Sequence, residues 1–307
     1  GAKALKLGIP LSVQLDLTYR CNERCIHCYL DHEDHGEMTT AEILGLLDQL
    51  AAAGVFFLNV SGGEIFMRPD LFTIIEHARK LQFSVKLKTN GVMIREAKAR
   101  RIAALGVEAV QISLYSHDAA THDQITKLTG SFKRTVEGAR LLRDAGVKVI
   151  FANVLMQQNA DHYKQVQALA AEMGIRYEVD ATITPMMDGD RGIVALNMDG
   201  GRLAAIMHDT TLLGDQAERL LAAPSGPNPL DEAYKTLPCS AGHTACYVSP
   251  YGDVFPCVQF PFKVGNVREQ AFIDIWKHSP QLNEVRAIRV SDLEGCSSCV
   301  HGSSCAR

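Results

Sequence analysis

Short apolar runs alternate with amphipathic stretches through the first 185 residues of the chain. Runs of strand length, rich in Val, Ile, Leu or Phe, occur at 13–17, 55–61, 84–89, 109–114, 148–155 and 177–183. Apolar residues recur with helical spacing at 40–53, 69–81, 95–105, 131–145 and 160–173. Thr39 and Glu42 have the spacing of a capping box at the start of the first of these helices. The pattern predicts repeated β/α units.

Such units with continuously apolar strands favour a parallel sheet that is covered by helices. Right-handed crossovers would curve six units into most of a barrel, so we predict an α/β fold with a partial (β/α)6 barrel of the TIM type. We expect the barrel at 1–195, a helical bridging segment at 196–238 that includes a helix over 199–223, and a cysteine-rich domain with few regular elements at 239–307.

Polar or glycine-rich sequences follow the predicted strands. They are a cysteine cluster after the first strand, SGGE ending at Glu64 after the second, KTNG ending at Gly91 after the third, and SLYS ending at Ser116 after the fourth. Because the carboxyl ends of parallel strands lie at the same edge, we expect all four sequences at one mouth of the barrel.

Composition narrows the class of protein. The chain is 47% hydrophobic and 21% charged with a net charge of −4, which gives no electrostatic reason to expect nucleic acid or an anionic membrane. It contains no run of the roughly 18 apolar residues that a spanning helix needs and no signal-peptide pattern at its start. We therefore expect a cytoplasmic protein. Its nine cysteines fall in two bands, which favours metal or redox chemistry over disulfides.

Cys21, Cys25 and Cys28 form a CxxxCxxC sequence. Thiolates at this spacing on a tight loop can converge on one face of a four-iron, four-sulfur cluster and leave one iron free to bind a ligand. The alternative is a structural zinc site that is completed by His27 or His32.

This sequence after the first strand, with Gly62-Gly63-Glu64 after the second, resembles the radical S-adenosylmethionine (SAM) superfamily from about residue 12 to 185. The resemblance implies that the three cysteines hold the catalytic cluster, which reductively cleaves SAM to a 5′-deoxyadenosyl radical that abstracts hydrogen. It also implies that the GGE turn binds the methionine part of SAM and that the backbone at His27 meets the adenine. Asn90, Ser113 and Tyr115 are candidates for the ribose or carboxylate, or are ordinary turn residues.

The second cysteine band resembles the SPASM domain, which holds auxiliary iron–sulfur clusters. The resemblance implies one cluster at Cys239, Cys246 and Cys257, with the turn around Gly252 forming a hairpin that presents the last two cysteines on neighbouring strands. It implies another cluster at Cys296, Cys299 and Cys305. Further ligands are expected in sequence beyond Arg307, and the alternative is that the auxiliary clusters have open or non-cysteine ligands. The alternative is a zinc module without redox function.

The resemblance favours an oxidoreductase that modifies a peptide or protein, as in ribosomal peptide maturation. Alternatives with the same chemistry are the modification of tetrapyrrole side chains in haem-type biosynthesis and sulfatase maturation. An iron–sulfur electron carrier or a zinc-held scaffold is an alternative of another class. Only a short segment precedes Cys21, so we expect a separate protein, or a segment absent from this sequence, to bind any leader peptide. Flavodoxin or ferredoxin is the expected electron donor, and neither nucleic acid nor membrane is an expected partner.

Overall fold

A computed structural model describes residues 2–207, 209–212 and 237–294. The strands are β1 (Ser12–Asp16), β2 (Phe57–Ser61), β3 (Ser84–Thr89), β4 (Ala109–Ser113), β5 (Val149–Val154), β6 (Arg176–Asp180), β7 (Ala245–Val248), β8 (Asp253–Phe255) and β9 (Gly265–Asn266). The α-helices are α1 (Ala2–Leu7), α2 (Thr40–Ala52), α3 (Leu71–Lys80), α4 (Glu96–Leu105), α5 (Ala119–Thr126), α6 (Ser131–Asp144), α7 (Tyr163–Glu172), α8 (Gly200–Met207), α9 (Phe272–His278) and α10 (Pro280–Ala287). Short 3-10 helices occupy Ile65–Met67, Ala160–His162, Gly192–Leu196, Thr210–Leu212 and Val290–Asp292.

All the strands belong to one sheet in the order β6-β5-β4-β3-β2-β1-β7-β8-β9. Strands β1 to β6 are parallel to their neighbours, and α2, α3, α4, α6 and α7 connect successive strands. Strand β7 pairs in parallel with β1 on the side opposite β2, and β8 and β9 continue from it as an antiparallel meander. The predicted α/β fold with a partial barrel is confirmed, and the C-terminal segment joins it through continuous strand pairing.

The six predicted strands and five predicted helices are confirmed, with ends that differ by a few residues. The capping box is also present, since Thr39 accepts from the N–H of Glu42 and Glu42 accepts from the N–H of Thr39. Helix α5 was missed because its sequence, AATHDQIT, has no sustained apolar stripe. The expectation of few regular elements after residue 239 was wrong, since β7 to β9, α9 and α10 all lie in 237–294.

The strands alternate between two faces and are not continuously apolar, which corrects the sequence prediction. On β1, Val13 and Leu15 are fully buried in the main core, whereas Gln14 lines an internal cavity. The same alternation places Leu87 in the core and Lys88 at the cavity. The outward face therefore packs on the helices, and the inward face gives the barrel a polar interior.

Core residues link the two ends of the chain. Phe272, Ile275 and Trp276 of α9 belong to the same buried cluster as Val13 and Leu15 of β1. Within the predicted helix over 199–223, α8 covers Gly200–Met207, and residues 208 and 213–223 lie outside the described residues. Cys296, Cys299 and Cys305 also lie outside them. In the described ranges, every helix is too short or too polar to cross a membrane.

Candidate active site at the mouth of the barrel

A cavity of about 290 Å³ opens where the strands end. Its wall contains residues of β1, β3, β4, β5 and β6, which shows that the sheet curves around it. The structure brings most of the sequence-predicted site residues to this cavity: Cys21, Cys25, His27, Cys28, Gly62, Gly63, Asn90, Ser113 and Tyr115.

The cysteine-bearing loop follows β1 and is tied to its neighbours through the backbone. The N–H groups of Arg24 and Ile26 each donate at 3.0 Å to carbonyl oxygens at the end of α5, those of Thr126 and Ile125. Within the loop, the N–H of Cys28 donates to the carbonyl oxygen of Cys25 at 3.1 Å. Helix α5, which the sequence analysis missed, therefore fixes the conformation in which the thiols are presented.

All three thiols of the loop are free, and burial raises their pKa. The pKa is about 12 for Cys21 and about 11 for Cys28, and that of Cys25 lies well above its usual value. Each thiol also lies near the others, so ionising all three requires positive charge beside them. An iron–sulfur cluster supplies such charge, and the donor set fits one. Among the described residues, no group of three His, Cys, Asp or Glu side chains is placed to hold a single metal ion.

Gly62 and Gly63 allow two loops to approach each other closely. A Cβ at Gly62, where φ is +142°, would lie 2.3 Å from the carbonyl oxygen of Thr18. A Cβ at Gly63 would lie 2.4 Å from the carbonyl oxygen of Arg20. The absence of side chains lets the Gly63 N–H donate to Thr18 at 2.7 Å, so the glycines position the start of the cysteine loop as well as lining the cavity.

Glu64 does not line the cavity, unlike the two glycines before it. Its side chain is 0% exposed, and its carboxylate accepts from the Thr89 hydroxyl at 2.8 Å and from the N–H groups of Asn90 at 2.9 Å and Phe66 at 3.0 Å. Burial raises its pKa. In this structure the carboxylate connects the loops after β2 and β3.

The remaining predicted residues surround the cysteines. The Asn90 amide donates to the Asn22 side chain at 2.8 Å and lies 3.9 Å from the Cys21 sulfur. His27 contacts Tyr115 edge to face with ring centroids 4.7 Å apart. Burial lowers the His27 pKa to about 4, so its ring is neutral at pH 7, and its Nδ1 is buried without a partner within the described residues.

Sequence reasoning missed the polar residues of the barrel interior. Lys88 donates to Gln14 at 3.1 Å, and burial lowers the Lys88 pKa. Gln14 in turn donates to Asp16 at 3.1 Å, and Asp16 accepts from the Tyr247 hydroxyl, also at 3.1 Å. Asp16 is 0% exposed, and burial raises its pKa to about 6. The sequence signal that could have revealed them is a polar residue at every second position of a strand, which indicates a polar face towards the barrel interior.

Glu23, between the first two cysteines, was also missed. It lines the cavity, is 3% exposed, and has one carboxylate oxygen, Oε1, with no partner in the described residues. Its other oxygen lies 3.5 Å from the Cys25 sulfur. Burial raises its pKa to about 8, so the carboxyl is largely protonated at neutral pH.

The predicted hairpin exists, but Cys246 and Cys257 face different surroundings. Tyr247 points to the barrel side and stacks on Phe255 at 5.6 Å, so Cys246 points to the opposite face, where it is 4% exposed in the core. Cys257 lies beyond the end of β8, where burial and the nearby Cys239 raise its pKa. The structure thus associates Cys239 with Cys257 and sets Cys246 apart from them.

Family comparisons agree with this architecture. The model of the Radical SAM superfamily matches residues 15–170, about half of the chain. The SPASM model, described as an iron–sulfur cluster-binding domain, matches residues 239–300. This chain therefore uses SAM and a 4Fe–4S cluster as cofactors. Its SPASM domain binds auxiliary iron–sulfur clusters. The electron-carrier and zinc-scaffold alternatives do not fit a radical SAM enzyme.

Individual relatives match nearly the whole chain. The AdoMet-dependent heme synthase of Methanosarcina barkeri is 29% identical over 97% of this chain and 90% of that protein. The mycofactocin maturase MftC of Mycobacterium tuberculosis is 31% identical over 97% of this chain and 78% of that protein. The structure of Streptococcus suis SuiB bound to S-adenosylmethionine has the same fold, with a TM-score of 0.77 at 20% identity over 99% of this chain and 74% of that one. This chain belongs to the radical SAM superfamily and is a radical SAM enzyme with a SPASM domain.

Proposed function

We propose that this enzyme abstracts a hydrogen atom from a peptide or protein substrate, as in ribosomal peptide maturation. The observation that carries the proposal is the convergence of the three cysteine thiols, the Gly62-Gly63 turn and the Asn90 amide on one polar cavity at the barrel mouth. The similarity to MftC, a maturase by name, and the fold shared with SuiB, which has been crystallised with its precursor peptide, support the substrate class.

In this proposal Cys21, Cys25 and Cys28 hold the 4Fe–4S cluster, which when reduced supplies the electron that cleaves SAM. Gly62 and Gly63 border the methionine part, and His27 and Tyr115 offer apolar ring surface to the adenine. Ser113 and Asn90 offer hydrogen bonds to the ribose or carboxylate. Glu64 supports this site from behind through the N–H of Asn90 and the Thr89 hydroxyl.

Lys88 suggests one property of the substrate. Among the described residues it is the only lysine or arginine in the cavity wall. A cation beside a partly buried cavity favours an acidic group in the bound molecule. A peptide carboxylate satisfies this requirement.

Cys239 and Cys257 hold an auxiliary cluster in the proposal, together with ligands outside the described residues. Val258 and Gln259, directly after Cys257, line the cavity, so this cluster would lie close to the bound substrate. It is therefore placed to accept an electron from the substrate or to contact it. We propose the barrel at 1–195 and the SPASM domain at 239–307. We also propose that the enzyme works in the reducing cytoplasm, because the six cysteines within the described residues are free thiols.

Tetrapyrrole side-chain modification is the second candidate function. The match to the AdoMet-dependent heme synthase over 90% of that protein favours it, and propionate side chains would also satisfy Lys88.

The first test is anaerobic reconstitution, with iron and sulfide analysis, followed by addition of dithionite and SAM. We expect 5′-deoxyadenosine from the wild-type enzyme and none from Cys25→Ala. The second test adds a deuterated peptide encoded beside the gene and, separately, iron-coproporphyrin. Transfer of deuterium from the peptide to 5′-deoxyadenosine would support peptide maturation. Turnover of the porphyrin and not of the peptide would reject peptide maturation in favour of the second candidate function.

A further inference from the structure

Strand β6 forms one edge of the nine-stranded sheet. All five of its residues pair in parallel with β5, and its other side faces no strand within the described residues. Strand β9, at the opposite end of the sheet, has only two residues. Of the two sheet edges in the described ranges, β6 therefore offers the longer one.

Backbone geometry identifies the polar groups that this edge presents. The carbonyl oxygen of Asp180 accepts from the N–H of Leu155, directly after β5, at 2.7 Å, so the backbone of Asp180 is turned towards β5. The N–H and C=O groups of successive strand residues point alternately to the two sides of the strand. Those of Tyr177 and Val179 therefore point away from β5, and two N–H and two C=O groups face the open edge.

The side chains of β6 are also more accessible than those of the other barrel strands. Each of the strands β1 to β5 contains at least three buried residues, whereas β6 contains none. Its sequence carries three charged residues, Arg176, Glu178 and Asp180. Charged side chains on an edge strand oppose indiscriminate pairing with other chains. This edge is therefore protected from aggregation while its backbone stays accessible.

The edge leads directly to the cavity at the barrel mouth. Asp180, the last residue of β6, lines that cavity, and so do the residues that follow it, Thr182, Ile183 and Thr184. The inner face of β6 is joined to the cavity wall as well, because Glu178 accepts from the side chain of Gln111 at 3.1 Å. An extended chain that pairs with β6 and continues past Asp180 therefore reaches the cavity.

We propose that β6 binds the peptide substrate by strand addition, so that a segment flanking the reacting residue becomes an extra strand of the sheet. The proposal deepens the proposed function and rests on it. Hydrogen bonds to the backbone of Tyr177 and Val179 supply affinity that depends little on the sequence of the peptide, and the cavity selects the reacting residue. The partner is thus an extended peptide, and neither a folded domain nor a tetrapyrrole offers the backbone groups that this edge requires.

The primary test removes one donor from the edge. Val179→Pro deletes an N–H group that points away from β5, and proline is tolerated in an edge strand at such a position. Val179→Ala is the matched control, because it also removes the packing of the valine side chain near Ile206 but keeps the N–H. Both variants should retain SAM cleavage without peptide.

Calorimetry with the reconstituted enzyme, SAM and the peptide encoded beside the gene measures the effect. We expect Kd to rise about tenfold for Val179→Pro, because one hydrogen bond is lost and the proline ring obstructs the next strand. For Val179→Ala we expect a change of less than about twofold, since the edge remains intact. Melting temperatures of the two variants show whether either substitution has disturbed the fold.

A second readout uses the peptide itself. Strand pairing engages the N–H groups of every second residue, so N-methylation at single amides should weaken binding with a period of two along the peptide. We expect about a tenfold rise in Kd at the sensitive positions and little change between them. Recognition through side chains alone gives no such alternation.

The outcomes separate this inference from the proposed function. Equal peptide affinities of Val179→Pro and Val179→Ala, or N-methyl effects without alternation, would overturn strand addition even where deuterium transfer from the peptide supports peptide maturation. A wild-type dimer that becomes monomeric in Val179→Pro with unchanged peptide affinity would assign the edge to a second copy of the chain and reject the proposal. A wild-type enzyme that neither binds the peptide nor takes deuterium from it would reject the proposed function, and strand addition with it.

Discussion

The carboxylate of Glu64 accepts a hydrogen bond from the main-chain N–H of Asn90 at 2.9 Å. Asn90 lines the cavity at the barrel mouth, whereas Glu64 does not. The bond joins the turn after β2 to the loop after β3 behind the cavity wall. The Glu64 carboxylate therefore holds the backbone of Asn90, whose side chain lines the cavity.

We predict that Glu64→Ala lowers the free energy of unfolding by about 1–3 kcal/mol, because it leaves the buried donors of Thr89, Asn90 and Phe66 unpaired. SAM affinity should fall with it. Chemical denaturation and SAM titration measure the two quantities. Weaker SAM binding at unchanged stability would contradict this interpretation and restore Glu64 as a direct ligand.

Gly63→Ala should prevent normal assembly of the cysteine loop. A Cβ would lie 2.4 Å from the Arg20 oxygen and 2.6 Å from the Tyr19 oxygen, distances that backbone atoms cannot accept without moving. We expect a large drop in reconstituted iron at Cys21, Cys25 and Cys28 and a lower melting temperature. Gly45→Ala in α2 is the control, because its Cβ meets nothing within 4 Å, and it should stabilise the protein by about 0.5–1 kcal/mol.

Cys246 and Cys257 should respond differently to the same substitution. Cys257→Val should remove iron from the SPASM domain, whereas Cys246→Val should retain it, because the Cys246 thiol is packed among apolar side chains on the other face of the hairpin. Iron analysis and the electron paramagnetic resonance spectrum of the reduced protein measure this. Equal iron loss in both variants would restore Cys246 as a cluster ligand.

Asp16 should make stability depend on pH. Burial raises its pKa from 3.8 to about 6, so the folded state binds the proton more tightly than the unfolded chain does. Stability from this group is therefore complete below about pH 4 and is lost as pH rises through about 6, by on the order of 3 kcal/mol in total. Denaturation of the cluster-free protein should show this fall relative to Asp16→Asn. A flat difference between the two proteins across pH 4–6 would contradict the prediction.

Sequence patterns were sufficient for the barrel because its outward face follows strand and helix periodicity, as at Val13, Leu15 and Leu87. Spacing also located the cysteine loop and the Gly62-Gly63 turn. The direction of the Glu64 carboxylate depended on three donors from separate loops, and the face of Cys246 depended on how β7 pairs with β1. Local sequence does not encode such long-range geometry.

Pairing of β7 with β1 also constrains how the protein folds in the cell. The Asp16–Tyr247 hydrogen bond joins residues 231 positions apart, so one edge of β1 remains uncovered until β7 has left the ribosome. During synthesis this exposed strand edge can pair with other chains, which makes the nascent barrel prone to aggregation. Pairing of β7 with β1 therefore removes the exposed strand edge. Slow translation after residue 200 would lengthen the time during which the nascent chain can aggregate.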